Sequence, residues 1–328
     1  MLLLHTNTNK VIPLTDIDSN SFYVNYSYFG LIDMQFDMSP NIEMYKHIKV
    51  ETILEYENKL YTIKTINQRH NIVTITAVLD LSELKSEIVK NINADLMLAV
   101  IFNAIFENTS YTYNCTNIVA ENSRLYVDIR NNTPLDALIN LPKNDIFSLA
   151  FEFDNKNKVV FITNVNANNE PTGTYFTDEL NLKDTVYKSS STELFTRLYA
   201  YGNDGLTIAS VNGGKEYIDN NTYSNKVISA VIVDEKFTNA TSLLNFATKK
   251  LNKMAIPYEQ YQSTVIDIAS VSDEYKNLLN YKLHDVITLI NRYNNTQTLQ
   301  RITNIKKYPL RNFLNETTLA NINFIPKD

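Results

Sequence analysis

Few residues of this chain are of a type that could perform chemistry, and its single cysteine, Cys115, is the clearest of them. A catalytic thiolate needs a neighbouring histidine and a third group that orients it. Cys115 lies in the sequence YNCTN, which has no recognisable nucleophile signature. We therefore expect a small buried apolar side chain, the usual role of a free cysteine. A single cysteine also excludes an internal disulfide bond.

Metal binding has equally little support in the sequence. The histidines are scattered and form neither an H-E-x-x-H motif nor a paired-cysteine motif. They are His5, His47, His70 and His284. Residues 16–20, DIDSN, begin like a calcium-binding loop, but Ser21 and Ser27 stand where such a loop needs glycine and glutamate. We predict a loop or capping role for this segment.

Nucleotide binding and hydrolysis are not indicated either. The six glycines form neither a G-x-G-x-x-G motif nor a P-loop. The acid pairs Asp178-Glu179 and Asp273-Glu274 could serve as glycosidase carboxylates, but helix starts and solvated loops explain such pairs better. We predict no catalytic, cofactor-binding or metal-binding residues, no cofactor, and a protein that is not an enzyme.

The overall composition is that of a folded protein with several packed cores, with 328 residues, 44% hydrophobic and 20% charged. A formal net charge of −6 argues against a general nucleic-acid or anionic-membrane binder. The densest apolar run, residues 96–102, is far shorter than the roughly 20 residues of a membrane span. We expect no stable membrane association and synthesis in a reducing cytoplasm.

Strand patterns dominate the first ninety residues. Residues 21–36 are rich in Tyr, Phe and Val, and residues 49–78 alternate aliphatic and polar side chains. The dipeptides Glu57-Asn58 and His70-Asn71 separate three runs and predict a meander. These runs are residues 50–56, 60–66 and 72–78.

The middle of the chain predicts mixed α/β structure. Asn93 could cap a helix over residues 94–106 that is apolar nearly all round and therefore buried. Thr133 is expected to cap a short helix that begins at Pro134, with Asp136 in its first turn. Further elements are a helical stretch over 80–90, strands over 146–153 and 159–165, and a loop over 166–172 that is the best candidate for a domain boundary.

The last third predicts a strand over residues 194–201 that stops at Gly202. A hairpin of residues 206–211 and 214–218 is expected around Asn212-Gly213, because Asn-Gly accepts the positive φ angles of a type I′ turn. An amphipathic helix is predicted over 240–254, with its apolar face made of Leu243, Leu244, Ala247, Leu251 and Met254. Strands follow over 264–268, 286–291, 298–306 and 316–321.

An internal repeat links the two ends of the chain. Residues 60–66 and 299–305 share the spacing L-x-x-I-x-x-I. Each follows a Val-led strand, starting at Val50 and Val286, and a polar turn. Chance similarity between β segments is the alternative. The repeat predicts two related β units, with mixed α/β structure between them.

Residues 196–208, TRLYAYGNDGLTI, resemble a signature of the prophage tail, or tail-associated lysin, family. The sequences NGGKEYI at 212–218, KMAIP at 253–257 and VIDI at 265–268 fit the same family pattern. The sequence KLYTIK at 59–64 resembles the family's hairpin. In LHDV, residues 283–286, His284 stands where the family pattern has glycine.

The resemblance implies a mainly β fold with α+β insertions, similar to phage tail hubs. Such a hub has two tube-like β-barrel domains plus two smaller α/β domains. On this chain we expect the first barrel in residues 1–90 and an inserted α/β domain in 91–190. The second barrel would comprise 191–205 and 260–328, and a hairpin-helix insertion would occupy 206–259.

The resemblance also implies a structural protein at the tail tip or baseplate of a phage or phage-like particle. Three copies would form a ring that continues and closes the tail tube and takes part in channel opening on host attachment. Expected partners are the distal tail protein, the tape-measure protein, and tail fibre or receptor-binding proteins, with DNA only as passing cargo.

Many members of the family continue into a peptidoglycan-cleaving domain, whereas this chain stops at Asp328. We therefore do not extend lysin activity to it. Two alternatives stay open at this point. One is a tail-associated cell-wall hydrolase, and the other is a receptor-binding tail protein.

Overall fold

The computed structural model describes residues 1–6, 10–116, 124–141, 149–165, 169–265, 280–292 and 295–321, and these residues are mainly β. The strands of the first half are β1 (Leu3–His5), β2 (Val11–Pro13), β3 (Tyr23–Ser27), β4 (Ile32–Met38), β5 (Ile53–Tyr56), β6 (Lys59–Arg69), β7 (Ile72–Leu79), β8 (Ile92–Met97), β9 (Thr112–Thr116), β10 (Arg124–Ile129), β11 (Leu149–Asp154) and β12 (Val159–Asn164).

The second half continues with β13 (Tyr175–Thr177), β14 (Leu182–Ser190), β15 (Arg197–Tyr201), β16 (Tyr217–Asp219), β17 (Ser229–Val233), β18 (Tyr258–Val265), β19 (Val286–Asn291), β20 (Thr296–Lys307) and β21 (Glu316–Asn321). The α-helices are α1 (Leu98–Phe106), α2 (Pro134–Asn140) and α3 (Ala240–Met254). Short 3₁₀ turns connect several of these elements, among them Glu43–His47, Ser82–Lys85, Asn203–Gly205, Ala209–Val211 and Asn312–Leu314.

The chain divides into two compact units, one of residues 1–186 with 262–328 and one of residues 187–261. A 13-stranded sheet dominates the first unit, in the order β14-β18-β21-β20-β3-β4-β7-β6-β5-β1-β2, with β19 beside β20 and β13 beside β19. Within the described residues this path has two ends, β14 and β2, and does not close into a barrel. Strands expected in two separate barrels thus share one sheet.

The predicted N-terminal meander is confirmed as β5, β6 and β7. Glu57 and Asn58 both have positive φ, 48° and 60°, as the two central residues of a type I′ turn require. His70, with φ 55°, makes the next turn. Side chains alternate along β7, so that Val73, Ile75 and Ala77 are fully buried.

The helix predicted over residues 94–106 begins later than expected. Residues 92–97 form β8, which pairs antiparallel with β10, and the helix α1 starts at Leu98. The predicted cap, Asn93, therefore lies in a strand. α1 buries Ile101, Phe102 and Ile105, although Val100 is 41% exposed, so the helix is not buried all round.

The second predicted cap is confirmed. The Thr133 hydroxyl accepts the backbone N–H of Asp136 at 3.2 Å, and Pro134 occupies the first turn of α2. Residues predicted as a helix over 80–90 form only the 3₁₀ turn Ser82–Lys85. Of the strand predicted over 146–153, residues 146–148 lie outside the described residues, and β11 begins at Leu149.

A second, three-stranded sheet of the first unit joins β11 antiparallel to β12, which runs parallel to β9. The core continues from the large sheet into these strands and helices. Its fully buried members include Leu4, Phe36, Leu54, Ile63, Ile75, Phe102, Leu138, Phe153 and Ile162.

The unit of residues 187–261 is a three-stranded sheet, β16-β15-β17, with α3 packed on one face. β15 runs parallel to β17 and antiparallel to β16. Leu198 and Ala200 of β15 are fully buried, as are Leu243 and Ala247 of α3. Asn239 caps α3, its Oδ1 atom accepting the backbone N–H groups of Thr241 and Ser242.

This small sheet corrects two sequence-based expectations. β15 was expected in the second barrel with residues 260–328, but it pairs with β16 and β17. The hairpin of 206–211 and 214–218 is also wrong, since Ala209–Val211 is a 3₁₀ turn and β16 pairs with β15. Asn212 has φ −128°, so the two consecutive positive φ values fall on Gly213 and Gly214 and not, as a type I′ turn at Asn-Gly requires, on Asn212 and Gly213.

Candidate functional site

Cys115 lies in β9, opposite Ile162 of β12. It is half-buried and packs against the hydrophobic core of the first unit. The sequence predicts a buried side chain, so Cys115 is more exposed than expected.

The histidines do not converge in the structure. His47 and His70 are exposed. His5 contacts Glu55 at 3.0 Å, and Lys156 contacts the other oxygen of that carboxylate at 2.6 Å. The hydrogen bonds from Lys156 and His5 hold the pKa of Glu55 below its ordinary value. Within the described part of the chain, no group of three or more His, Cys, Asp or Glu side chains is placed to hold a metal ion.

The remaining acidic candidates that lie within the described residues are parts of turns and surface ion pairs. Glu179 contacts Arg292 at 2.9 Å, with both side chains more than half exposed. Asp273-Glu274 lies outside the described residues. In the DIDSN segment, the Asp18 carboxylate accepts the backbone N–H of Asn20 at 3.0 Å, a local turn contact.

The two sequence repeats occupy equivalent positions in the large sheet. We call residues 49–79, which contain β5, β6 and β7, the first hairpin unit, and residues 282–321, which contain β19, β20 and β21, the second hairpin unit. In each, the strand with the L-x-x-I-x-x-I spacing pairs antiparallel on both sides, with the strand before it and the strand after it. The predicted relation between residues 60–66 and 299–305 therefore holds at the level of strand pairing.

A β-bulge falls at the same position in both hairpin units. β6 pairs Ile63 with Ala77 and then Thr65 with Thr76, which leaves Lys64 as the extra residue. β20 pairs Ile302 with Leu319 and then Asn304 with Thr318, which leaves Thr303 as the extra residue. Because bulges bend and twist a strand, both units have the same local irregularity.

The turn that enters each hairpin unit is also repeated. The backbone N–H of Lys49 donates to the Thr52 hydroxyl at 3.2 Å, and that of Lys282 donates to the Asp285 carboxylate at 2.9 Å. The residue two positions after each lysine has a positive φ angle, 66° at Glu51 and 73° at His284. His284 thus occupies a left-handed position, where glycine is most easily accommodated.

The register shows which residues correspond. Ile53 pairs with Thr62, and Val286 pairs with Arg301. Because Thr62 and Arg301 precede the equivalent Ile63 and Ile302, the counterpart of Val286 is Ile53, not the Val50 expected from the sequence.

A buried charged cluster distinguishes the second hairpin unit and was not predicted from the sequence. Arg301 is only 1% exposed, and its Nη1 donates to the carbonyl oxygen of His284 at 2.8 Å, while Nη2 donates to the Asn169 side chain. Burial lowers the pKa of Arg301, an effect that Tyr28 and Asp285 oppose. The sequence signal that could have revealed it is the arginine at the core-facing position where the first unit has a threonine.

His284 completes this cluster. Its Nε2 donates to the carbonyl oxygen of Tyr28 at 2.8 Å, and its ring meets the Tyr28 ring edge-on, with centroids 4.8 Å apart. Burial lowers the pKa of His284 to about 4, the bond to Tyr28 opposing this and Arg301 adding to it. The imidazole of His284 is therefore neutral in the folded protein at neutral pH.

An open groove of about 560 Å³ lies beside the cluster, lined by residues that include Gly30, Phe151, His284 and Arg301. Gly30 is required there, because a Cβ atom would stand 1.9 Å from the carbonyl oxygen of Phe151. The charged lining residues are of both signs: Lys59, Lys282, Arg301 and Lys307, with Glu152, Glu170 and Asp285. This mixture does not select a class of ligand.

The motif at residues 196–208 forms the centre of the small sheet. Arg197 holds Asp219 through two hydrogen bonds of 2.7 and 2.9 Å and lies 3.8 Å from the centre of the Tyr217 ring. Gly202 packs so closely that a Cβ atom would be 2.5 Å from the carbonyl oxygen of Phe237. The motif therefore has a packing role in this fold.

None of the described helices combines the length and apolar composition that crossing a bilayer would require.

Comparison with known proteins identifies the relatives of this chain. Residues 170–324 match the sequence model of a family described as prophage endopeptidase tail. The match includes the 196–208 motif, and the resemblance to the prophage tail family is confirmed. No curated protein sequence matches the chain.

Solved structures of tail proteins share the fold over nearly the whole chain. Prophage tail protein gp18 from Listeria monocytogenes EGD-e superposes with a TM-score of 0.70 at 15% identity, covering 98% of this chain and 94% of that one. The 43 kDa tail protein of prophage MuSo2 from Shewanella oneidensis gives a TM-score of 0.64 at 13% identity, covering 97% of both chains.

A more distant structure comes from a secretion system. The E. coli c3393 protein, a type VI secretion component described as similar to tail proteins gp27 and gp5 of bacteriophage T4, gives a TM-score of 0.51 at 11% identity. The alignment covers 99% of this chain and 77% of that one. At such identities the structural comparisons establish a common fold.

Proposed function

We propose, for a chain that carries the prophage tail family sequence in residues 170–324, a structural role as the hub of a phage tail tip. Three copies form a ring that continues and closes the tail tube and that opens when the particle attaches to its host. The protein is made in the bacterial cytoplasm and is located at the tail tip or baseplate of the virion.

The observation that carries this proposal is the repetition of one hairpin unit in a single chain. Turn, strand register and bulge agree between residues 49–79 and 282–321. Three copies with two such units each supply six equivalent units around one axis. Identical copies around an axis form a closed ring. In the ring, each hairpin unit contributes to one of two tube-like β domains.

The partners follow from this position. The distal tail protein lies above the ring, the tape-measure protein ends inside it, and tail fibres or receptor-binding proteins attach around it. DNA crosses the ring only as passing cargo. A net charge of −6 suits a passage that should not retain phosphates.

The role is mechanical and not enzymatic. The family description contains the word endopeptidase, which keeps a tail-associated cell-wall hydrolase as one alternative. Incubation of the purified chain with cell walls in a zymogram tests this alternative, and the hub account predicts no clearing. A receptor-binding tail protein is the other alternative, and it predicts that the isolated chain binds host cells.

Labelling of intact particles tests the location. A short epitope inserted between His70 and Asn71, which form an exposed turn, leaves the strands of the first hairpin unit in place. Gold-labelled antibody should mark the tail end when particles are opened by mild denaturant. A tag between Gly213 and Gly214, in the other compact unit, serves as the matched control for accessibility. Label on lateral fibres, or particles free of the chain, would contradict the proposal.

A further inference from the structure

The two edge strands of the small sheet in residues 187–261 differ in whether their outer backbone groups are covered. β16 forms one edge, and the side-chain amide of Asn212 donates to the carbonyl oxygen of Tyr217 at 2.8 Å, on the side that faces away from β15. The chain's own loop thus covers this edge. β17, with the sequence SAVIV, forms the other edge, and among the described strands it pairs with β15 alone.

The backbone direction of β17 follows from its hydrogen bonds. The carbonyl oxygen of Ile228 accepts from the N–H of Arg197, and the N–H of Asp234 donates to the carbonyl oxygen of Tyr201. Alternate residues of a strand point the same way. The even-numbered residues therefore face β15, and the N–H and C=O groups of Ser229, Val231 and Val233 face outward.

Two of the three outward residues, Val231 and Val233, are also apolar and exposed. Val231 is 61% exposed and Val233 is 66% exposed. Their side chains lie on the face opposite α3, beside Tyr199 and Tyr201 in the register of β15. Native edge strands are usually protected by lysine, proline or a bulge. β17 has neither lysine nor proline, and among the described residues no strand pairs with its outer edge, so this edge can accept an additional strand.

We propose that β17 is the docking edge for an extended segment of a different tail protein, which adds to this sheet as a fourth strand. Unpaired backbone donors and acceptors are the groups that recognise an extended chain. Lys226 precedes β17, and Asp234 and Glu235 follow it. An antiparallel partner strand therefore carries basic residues at its N-terminal end, acidic residues at its C-terminal end and apolar residues between them.

A second copy of this chain is the less suitable occupant. Pairing of β17 with β17 generates a twofold axis, which a ring of three does not contain. The covered β16 edge prevents head-to-tail pairing through this sheet. Five residues are also far fewer than the roughly 20–30 per side of a stable interface. The occupant is therefore held close by other contacts in the particle, and this inference rests on the proposed location in a tail.

Amide hydrogen exchange at single-residue resolution tests the edge. In the free chain, the amides of Ser229, Val231 and Val233 should exchange fast, while those of Ala230 and Ile232 are protected. In purified particles the three outward amides should slow by at least about tenfold. Equal exchange of the outward amides in free chain and particle would overturn the inference.

A photo-crosslinking residue at position 231 identifies the occupant in particles, with the same residue at Lys249, on the exposed side of α3, as the matched control. The expected product joins position 231, but not 249, to one segment of another tail protein. Crosslinks to a second copy of this chain, or none, would overturn the inference. If the protection and the crosslinks are found in particles where the chain does not form a threefold ring, the hub proposal is wrong and the inference about β17 stands.

Discussion

In the first hairpin unit the residue that pairs with Ile53 is Thr62, and in the second the residue that pairs with Val286 is Arg301. Both side chains are buried, with 5% and 1% of their surface exposed. The surrounding backbone is the same, including the entering turn and the bulge. The comparison shows that one strand framework accommodates either a small hydroxyl side chain or a buried guanidinium, which in the second unit donates to the His284 carbonyl oxygen and the Asn169 side chain.

The two units also differ in what surrounds the entering turn. Glu51 is exposed and pairs with Lys64 at 2.8 Å. His284, at the equivalent position, is packed against Tyr28 and donates to its backbone. The entering turn of the first unit therefore carries solvent-exposed charges, whereas that of the second makes buried polar contacts with Tyr28, which follows β3. Substitutions should accordingly cost more in the second unit.

Arg301→Thr, which gives the second unit the residue of the first, should have the largest effect. It leaves the His284 carbonyl oxygen and the Asn169 side-chain oxygen without this donor and opens a cavity, so we expect a loss of about 3–5 kcal/mol in the free energy of unfolding. Thr62→Ala, the matched change in the first unit, should cost about 1 kcal/mol. Urea denaturation followed by circular dichroism measures both. Equal losses would remove the distinction between the units.

Ile63→Ala and Ile302→Ala test the equivalence itself. Both side chains are fully buried and precede the bulge. Each truncation should lower the free energy of unfolding by about 2–5 kcal/mol, and the two losses should agree within about 1 kcal/mol. Calorimetry of the two variants checks this. A large loss at one position with none at the other would show that only one hairpin unit is structurally important.

His284→Gly should change the dependence of stability on pH. Burial lowers the pKa of His284 to about 4 in the folded protein, whereas an unfolded histidine has a pKa near 6.5. Its contribution to stability is therefore complete above about pH 6.5 and is lost as the pH falls towards 4. Relative to the parent, the glycine variant should gain about 2 kcal/mol between pH 8 and pH 5.

Glu51→Gly is the matched control for the histidine variant, because it places glycine at the equivalent left-handed position without removing a buried imidazole. Its stability relative to the parent should change little over the same pH range. Thermal melts at pH 8, 6.5 and 5 distinguish the two variants. Parallel pH profiles for both would contradict the buried environment assigned to His284.

The bulge residues should show the smallest effects. Lys64→Ala removes an exposed ion pair, so it should cost no more than about 0.5 kcal/mol and should have no effect in high salt. Thr303 is 4% exposed, and its hydroxyl donates to the carbonyl oxygen of Thr318 at 3.2 Å. Thr303→Ala should therefore cost about 1 kcal/mol, independently of salt. The reverse order in urea titrations would contradict the assigned burial.

Much of the hairpin framework could be predicted from the sequence. The L-x-x-I-x-x-I spacing gave the repeat, and Glu57-Asn58 gave the turn, because local periodicity and turn chemistry decide such elements. The strands over 286–291 and 316–321 and the helix over 240–254 have the predicted bounds. The predicted start of the first strand at Val50 was wrong. The hydrogen bond from Lys49 to Thr52 closes a turn there, and the strand β5 starts at Ile53.

The elements that the sequence did not predict depend on distant partners. Residues 92–97 have helix-forming side chains, but pairing with β10 makes them a strand. Residues 206–218 contain Asn-Gly, but the close contact of Gly202 with Phe237 and the pairing of β16 with β15 place the turn elsewhere. Similarly, the cluster of Arg301, His284 and Tyr28 joins residues more than 250 positions apart. Local patterns carry no information about such contacts.

The arrangement of the chain in the particle tests the central claim most directly. Cryo-electron microscopy of intact tail tips should show three copies of this chain as a closed ring around the tail axis, directly beneath the distal tail protein. The six hairpin units, residues 49–79 and 282–321 of each copy, should surround the channel in alternation. A chain found only in peripheral fibres, or a ring in which only one of the two hairpin units of each copy borders the channel, would contradict the account.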